Sequence, residues 1–267
     1  MSLSAFQLPA MGPIAAPPGL WGAGIAAFQG LVISSSFSTE IKSPTLYSKF
    51  AAGKKLDNPI SSQNGMFRIY VPSAIVATLG ALATYGTKNF RFALPLLALH
   101  FWKRSAEVAF VHNYSGTMPA ASANTISTYY TLTTILVGAT ALPLKDVLDG
   151  FKTAAVTLFS VGTLGNAYHH LLLAKLRSSK DPNNDNRQYI PPKGGLFSLV
   201  AAPHYMFELV AWLGIACAAQ QANAFLTFAS MCSYLAGRAY KTNEIYCNQF
   251  SEDEWPRSRK NMLPWLF

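Results

Sequence analysis

The chain has 267 residues, 51% of them hydrophobic and only 12% charged, with a formal net charge of +9. Soluble domains carry roughly 25% charged residues. Here the charges also gather between long apolar stretches, a pattern that excludes an ordinary soluble domain and predicts a polytopic membrane protein.

In chain order, the opening MSLSAFQLPAMGPIAAPPGLW lacks a basic n-region, so it reads as a short tail and not as a cleavable signal. Seven apolar stretches follow, at about 18–37, 65–86, 90–112, 121–143, 150–175, 196–219 and 222–240. They predict an all-α bundle of seven transmembrane helices forming a single membrane domain, 1–267. Gly, Pro and Ser within them are tolerated in membrane helices. With seven spans, twelve Lys and Arg residues of 38–64, 177–195 and the C-terminal tail fall on one side. Four (Lys88, Arg91, Lys145 and Lys152) fall on the other. The positive-inside rule then places the C-terminus in the cytosol. The net charge needs no nucleic acid, because anionic lipid and an anionic cofactor account for it.

The third stretch, FRFALPLLALHFWKRSAEVAFVH, carries His100, Arg104 and Glu107 at i, i+4 and i+7, on one helical face, with Lys103 beside them. A charge at bilayer depth costs about 2.5–3.5 kcal/mol on insertion scales, so these residues are expected to face a protein interior. In GNAYHHLLLAKLR, Asn166, His170 and Arg177 share a face that grows more polar toward the cytosolic end. The loop DPNNDNRQYIPPKGG, 181–195, is turn-rich and predicts a cap or lid over that end.

In AAPHYMFELVAW, His204 and Glu208 are i, i+4 neighbours just after Pro203, and Tyr205 is placed to donate a proton. The last span continues into GRAYKTNEIYCNQF, where Arg238, Thr242 and Tyr246 form a polar stripe. Trp255, Trp265 and Phe267 of the tail suit an interfacial anchor, with Arg257 and Arg259 near any cytosolic anion. There is no soluble nucleotide-binding fingerprint. The adjacent His169 and His170 point about 100° apart on a helix and do not share a metal, so no metal is expected. Cys217, Cys232 and Cys247 have no metal spacing, and the two in apolar spans read as packed thiols.

LHFWKRSAEVAFVHNYSGTMP (99–119), GNAYHHLLLAKLR (165–177), PKGGLFSLVAAPHYMFELVAW (192–212) and WPRSRKNMLPWLF (255–267) resemble, in order, the steroid 5α-reductase (3-oxo-5-alpha-steroid 4-dehydrogenase) family. That family includes the trans-2-enoyl-CoA reductases of very-long-chain fatty acid elongation. The resemblance runs over about 65–267, and its texture is that of the plant-type branch. It implies an NADPH-dependent reductase in the endoplasmic reticulum membrane. Hydride goes to the β-carbon of an α,β-unsaturated carbonyl, and a proton goes to the α-carbon.

Carried over by position, Arg104, Asn166, Arg177, Arg238, Tyr246 and Arg259 look like cofactor contacts, with His170 among them. His204 and Glu208 match a polar pair at the nicotinamide end. Tyr205 and Lys103 match a tyrosine and a lysine of the enoyl-CoA reductases. There are departures. Tyr70 stands where the animal steroid enzymes carry a glutamate, and Phe101 where they carry a tyrosine. His170 replaces an acidic residue of those enzymes, and Thr242 a histidine. Tyr70 is therefore the alternative donor to a substrate ketone.

The expected substrate is a 3-oxo-Δ4-steroid. A long-chain trans-2-enoyl-CoA, with elongase partners, is the alternative. A non-catalytic lipid-binding protein on the same fold is a remote third reading.

Overall fold

The computed structural model describes residues 6–8, 12–14, 19–51, 53–114, 116–178 and 190–267, with the side chains of residues 6–8, 13, 177 and 178 outside that description. Among these residues the chain forms seven α-helices: α1 (Gly19–Lys42), α2 (Ser62–Thr84), α3 (Ala93–Phe110), α4 (Ala120–Thr140), α5 (Asp149–Ser178), α6 (Pro203–Ala219) and α7 (Ala222–Gln249). Strands are confined to two short antiparallel pairs, β1 (Phe6–Leu8) with β2 (Gly12–Ile14) and β3 (Pro59–Ser61) with β4 (Thr117–Pro119). The second pair fastens the start of α2 to the start of α4.

Local chemistry sets several ends. The Ser61 hydroxyl accepts from the Asn64 N–H at 3.2 Å and caps α2. Pro203 opens α6 in the first turn, where its missing N–H costs nothing. Gln220 ends α6 in the left-handed region at φ 48°, and its side-chain oxygen accepts from the Leu148 N–H at 2.9 Å.

Packing pairs α5 with α6, α1 with α7, and α2 with both α3 and α4. Glycines draw α5 and α6 into backbone contact. A Cβ on Gly162 would lie 2.3 Å from the Ala211 nitrogen, and one on Gly214 would lie 2.6 Å from the Phe159 nitrogen. This approach carries the polar ends of both helices to one level.

By length and composition, two helices of the described residues are apolar enough to cross a membrane, Leu20–Lys42 and Ser62–Thr84. Two of the others carry charges, Lys103, Arg104 and Glu107 in α3 and Arg238, Lys241 and Glu244 in α7, while α6 has only 17 residues. The charges of α3 and α7 lower the hydropathy that a span is recognised by.

Three expectations change. The seventh helix runs to Gln249 and not to 240, because Arg238, Thr242 and Tyr246 are buried and the polar stripe is an inner face. The sixth starts at Pro203 and not at 196, since Gly195–Ser198 forms a separate 3-10 turn. The His169 ring holds that turn, with Nδ1 donating to the Gly165 carbonyl and Nε2 accepting from the Leu196 N–H. Trp255 is not a surface anchor. It is fully buried, with Nε1 donating to Asn243 Oδ1 at 2.8 Å. The tail folds back and bridges the segment before α6, with Ala201 and Ala202 N–H groups donating to the Lys260 and Asn261 carbonyls. Trp265 alone keeps the exposure expected of an anchor, at 81%. Most of the predicted lid, residues 181–189, lies outside the described residues.

Candidate active site

The polar face of α3 meets α2, α5 and α6 in one buried cluster. Glu107 is its hub. Its carboxylate accepts from Lys103 at 2.7 Å and from Arg104 at 2.5 Å, and lies 3.0 Å from His170 Nδ1. Arg104 also donates to the Tyr70 hydroxyl at 2.9 Å and lies over the Tyr70 ring. The His170 Nδ1 atom is 2.9 Å from Arg104 as well, but one nitrogen cannot both donate and accept. With the proton on Nδ1 the ring donates to Glu107, and Nε2, 3.3 Å from Arg104, accepts.

Asn166 joins this cluster to α6. Lys103 donates to its side-chain oxygen, and its amide donates to the His204 carbonyl at 2.9 Å. Glu208 takes its partner from α3: His100 Nε2 lies 3.3 Å from its carboxylate. His204 sits in the first turn of α6, gives its carbonyl to Asn166, and leaves Nδ1 buried and without a partner.

Behind Tyr70 lies an aromatic wall. Tyr130 stacks on Tyr70 at 6.2 Å and on Trp212 at 6.4 Å, and Phe101 meets Tyr130 edge-on at 5.3 Å.

A second cluster forms where the chain leaving α1 crosses α7. Arg238, only 1% exposed, donates to Glu40 at 2.7 Å and to the Thr45 carbonyl at 2.9 Å. Its guanidinium lies over the rings of Tyr47 and Phe50, at 3.9 and 4.0 Å. Burial pushes the Tyr47 phenol well above its usual range, and the Arg238 charge opposes this. The Tyr47 and Tyr234 hydroxyls are 3.1 Å apart. Lys49 donates to the Tyr246 hydroxyl at 3.0 Å. Tyr246 packs on Trp255, whose ring carries Arg259 at 3.8 Å. Partial burial lowers the affinity of Arg259 for its proton.

Tyr205 stands between the clusters. Its ring is 4.3 Å from that of His204. Of the residues singled out in the sequence, Tyr70, Lys103, Arg104, Asn166, His170, His204 and Glu208 thus share one cluster. Arg238, Tyr246 and Arg259 share the other. Arg177 lies in the last turn of α5, and its side chain lies outside the described residues.

Several buried polar atoms are left over. Among the described residues, Arg238 Nε and Arg259 Nε are donors with no acceptor, and Thr242 Oγ1 has no partner either. Guanidinium nitrogens only donate, so the second cluster offers donors of the kind that an acceptor such as phosphate satisfies. Glu107, His112 and His170 also bring potential metal-ligating atoms within 4.8 Å of one another. The carboxylate there is already held by two cationic side chains, which oppose a further cation.

Sequence reasoning missed Glu40 and His112. Glu40 lies at the end of an apolar helix, where a carboxylate normally reaches water; its full burial was the missed signal.

The family model for 3-oxo-5-alpha-steroid 4-dehydrogenase matches residues 117–267, more than half of the chain. The chain belongs to this family. It is 30% identical over 195 residues to a very-long-chain enoyl-CoA reductase of Dictyostelium discoideum, a stretch covering 68% of the chain and 61% of that protein. It is 36% identical over 114 residues to human 3-oxo-5-alpha-steroid 4-dehydrogenase 1, covering 41% and 40%. It is 31% identical over 112 residues to the steroid 5-alpha-reductase DET2 of Solanum lycopersicum, covering 42% and 41%. The chain therefore matches about two fifths to three fifths of these relatives' lengths. Cluster residues before 117, including Tyr70 and Arg104, precede the family match.

Proposed function

We propose that this protein is an NADPH-dependent membrane reductase of the C=C bond in a conjugated lipid carbonyl, with a 3-oxo-Δ4-steroid as substrate. The observation that carries the reading is the pair of buried donors, Arg238 Nε and Arg259 Nε, without an acceptor among the described residues, which suits an anionic ligand. Arg238, Tyr246 and Arg259 would hold the phosphates, and Asn166, His204 and Glu208 the nicotinamide end. NADPH, when bound, supplies a hydride.

The chain's own residues do the rest. Tyr205 holds the proton that the product gains at the α-carbon, or donates to the oxygen on which negative charge develops. Lys103 and Arg104 supply positive charge close to that oxygen, and Glu107 fixes both in place. The stacked faces of Tyr70, Tyr130 and Trp212 suit a flat ring system, which favours the steroid.

The second reading is a long-chain trans-2-enoyl-CoA, working with elongase partners. The pairing of Tyr205 with Lys103 in one chain favours it, as does the longer match to the Dictyostelium protein. In either case the seven helices span the endoplasmic reticulum membrane with the C-terminus in the cytosol. A non-catalytic lipid carrier would not need the unpartnered donors. NADPH binding to the purified protein, read as quenching of tryptophan fluorescence, tests the proposal: saturable binding supports an enzyme, and its absence removes the reading.

A further inference from the structure

The tail closes in a turn that presents two large apolar side chains. The Met262 and Leu263 N–H groups both donate to the Phe267 backbone oxygen at 2.8 Å, and the Leu266 N–H donates to the Leu263 carbonyl at 3.2 Å. Met262, Leu263 and Phe267 pack against the core. Trp265 and Leu266 face outward, 81% and 82% exposed. Pro264 stands second in this turn and Trp265 third, at φ 63°. A proline second and a positive φ third is the type II pattern, whose third position favours glycine. A tryptophan there strains the backbone and leaves its indole uncovered, so folding alone does not account for it.

Position and charge name the bilayer as what covers this pair. The Phe267 ring lies 6.3 Å from that of Phe37 on α1, five residues short of the helix end at Lys42. The turn therefore sits beside the cytosolic end of a helix apolar enough to cross a membrane, the level at which interfacial tryptophans gather. The exposed Trp21 lies sixteen residues before Phe37, about 24 Å along the axis at 1.5 Å per residue. Trp21 and Trp265 thus bracket a span comparable to the hydrocarbon core of about 30 Å. Residues 255–267 carry Arg257, Arg259 and Lys260 and no acidic side chain, which suits the anionic headgroups of the cytosolic leaflet.

The same tail serves the second cluster. Trp255 is buried, Arg259 lies over its ring, and the Lys260 and Asn261 carbonyls accept from the Ala201 and Ala202 N–H groups. Arg259 is six residues from Trp265, so whatever fixes the turn limits the freedom of the guanidinium. We infer that the cytosolic interface of the bilayer is the binding partner of the Trp265–Leu266 turn, and that this contact holds Arg259 at the second cluster and makes cofactor affinity depend on lipid. The inference rests on the membrane reading above and on Arg259 as a cofactor contact.

The test uses the full-length protein in nanodiscs of phosphatidylcholine and phosphatidylserine. The Trp265 signal is the parent emission minus that of Trp265→Phe. Lipid brominated high on its acyl chains should quench it more than lipid brominated near the chain ends, and aqueous acrylamide should quench it little. Trp265→Gly relieves the backbone but removes the anchor. It should weaken NADPH binding about tenfold by calorimetry, near the low end of the worth of one buried large apolar side chain, while Trp265→Phe, still apolar, stays within about twofold. A role confined to the fold predicts the reverse, a glycine variant at least as good as the parent. Quenching by acrylamide and not by brominated lipid overturns the inference, even where Trp265→Gly fails to fold; so does equal affinity in Trp265→Gly and the parent. Shallow lipid quenching with no NADPH binding by the parent removes the cofactor reading, and the coupling with it, but leaves the anchor. Release of the protein from membranes by alkaline carbonate marks a failure of the membrane reading instead.

Discussion

Glu40 and Arg238 are 198 residues apart and form a buried pair that sets the second cluster. Replacing Glu40 by Ala removes the 2.7 Å bond to Arg238 and the bonds that Glu40 accepts from the Thr45 N–H and hydroxyl. Arg238 then keeps the Thr45 carbonyl and two ring faces, but its charge stays buried without a counter-ion. Breaking a buried pair from one side costs about 3–5 kcal/mol, and Glu40→Ala is expected to destabilise the fold by that amount. Arg238→Met on its own leaves a buried carboxylate and should be similarly costly. The double variant leaves no stranded charge, so it should be about 2–3 kcal/mol more stable than the sum of the singles implies. Equilibrium unfolding in mixed detergent–SDS micelles reads all four corners of the cycle. A Glu40→Ala protein within about 0.5 kcal/mol of the parent, or strict additivity, would refute the reasoning.

Tyr205→Phe is expected to lose about 10²–10⁴-fold in turnover with cofactor affinity nearly unchanged; full activity there, with loss in Tyr70→Phe, would move the donor to Tyr70. Arg259→Ala should erode a preference for NADPH over NADH by about 1.5–3 kcal/mol, the worth of a hydrogen bond to a charged group, read as the ratio of kcat/KM values. An unchanged ratio removes Arg259 from the cofactor site. Gly162→Val places a side chain where the Ala211 nitrogen already lies within 2.3 Å of a Cβ, and is expected to cost at least about 1–3 kcal/mol, seen as a lower Tm. A glycosylation acceptor appended after Phe267 should remain unmodified; a modified one would invert the topology.

What the sequence made legible is what helical spacing encodes. His100, Arg104 and Glu107 do lie on one inward face, and the seven helices fall close to the apolar stretches. Partners across helices were not legible. Spacing offered His204 to Glu208, yet the close approach of α5 to α6 at Gly162 and Gly214 carries Asn166 to the His204 carbonyl, and α3 brings His100 to Glu208. Glu40 was overlooked because its partner lies at the far end of the chain. The α7 boundary failed because polarity was read as exposure, whereas Arg238 and Thr242 are polar and enclosed. Trp255 failed in the same way, since a tail Trp is a surface anchor only if the tail does not fold back.

The central claim is reduction of a conjugated C=C bond at the expense of NADPH. Its most direct test is NADPH oxidation by the purified full-length protein, offered a 3-oxo-Δ4-steroid beside a long-chain trans-2-enoyl-CoA, with products identified by mass. Stoichiometric oxidation with a product two hydrogens heavier is the predicted result, on the steroid first. No oxidation with either substrate, under conditions where NADPH binds, would contradict it.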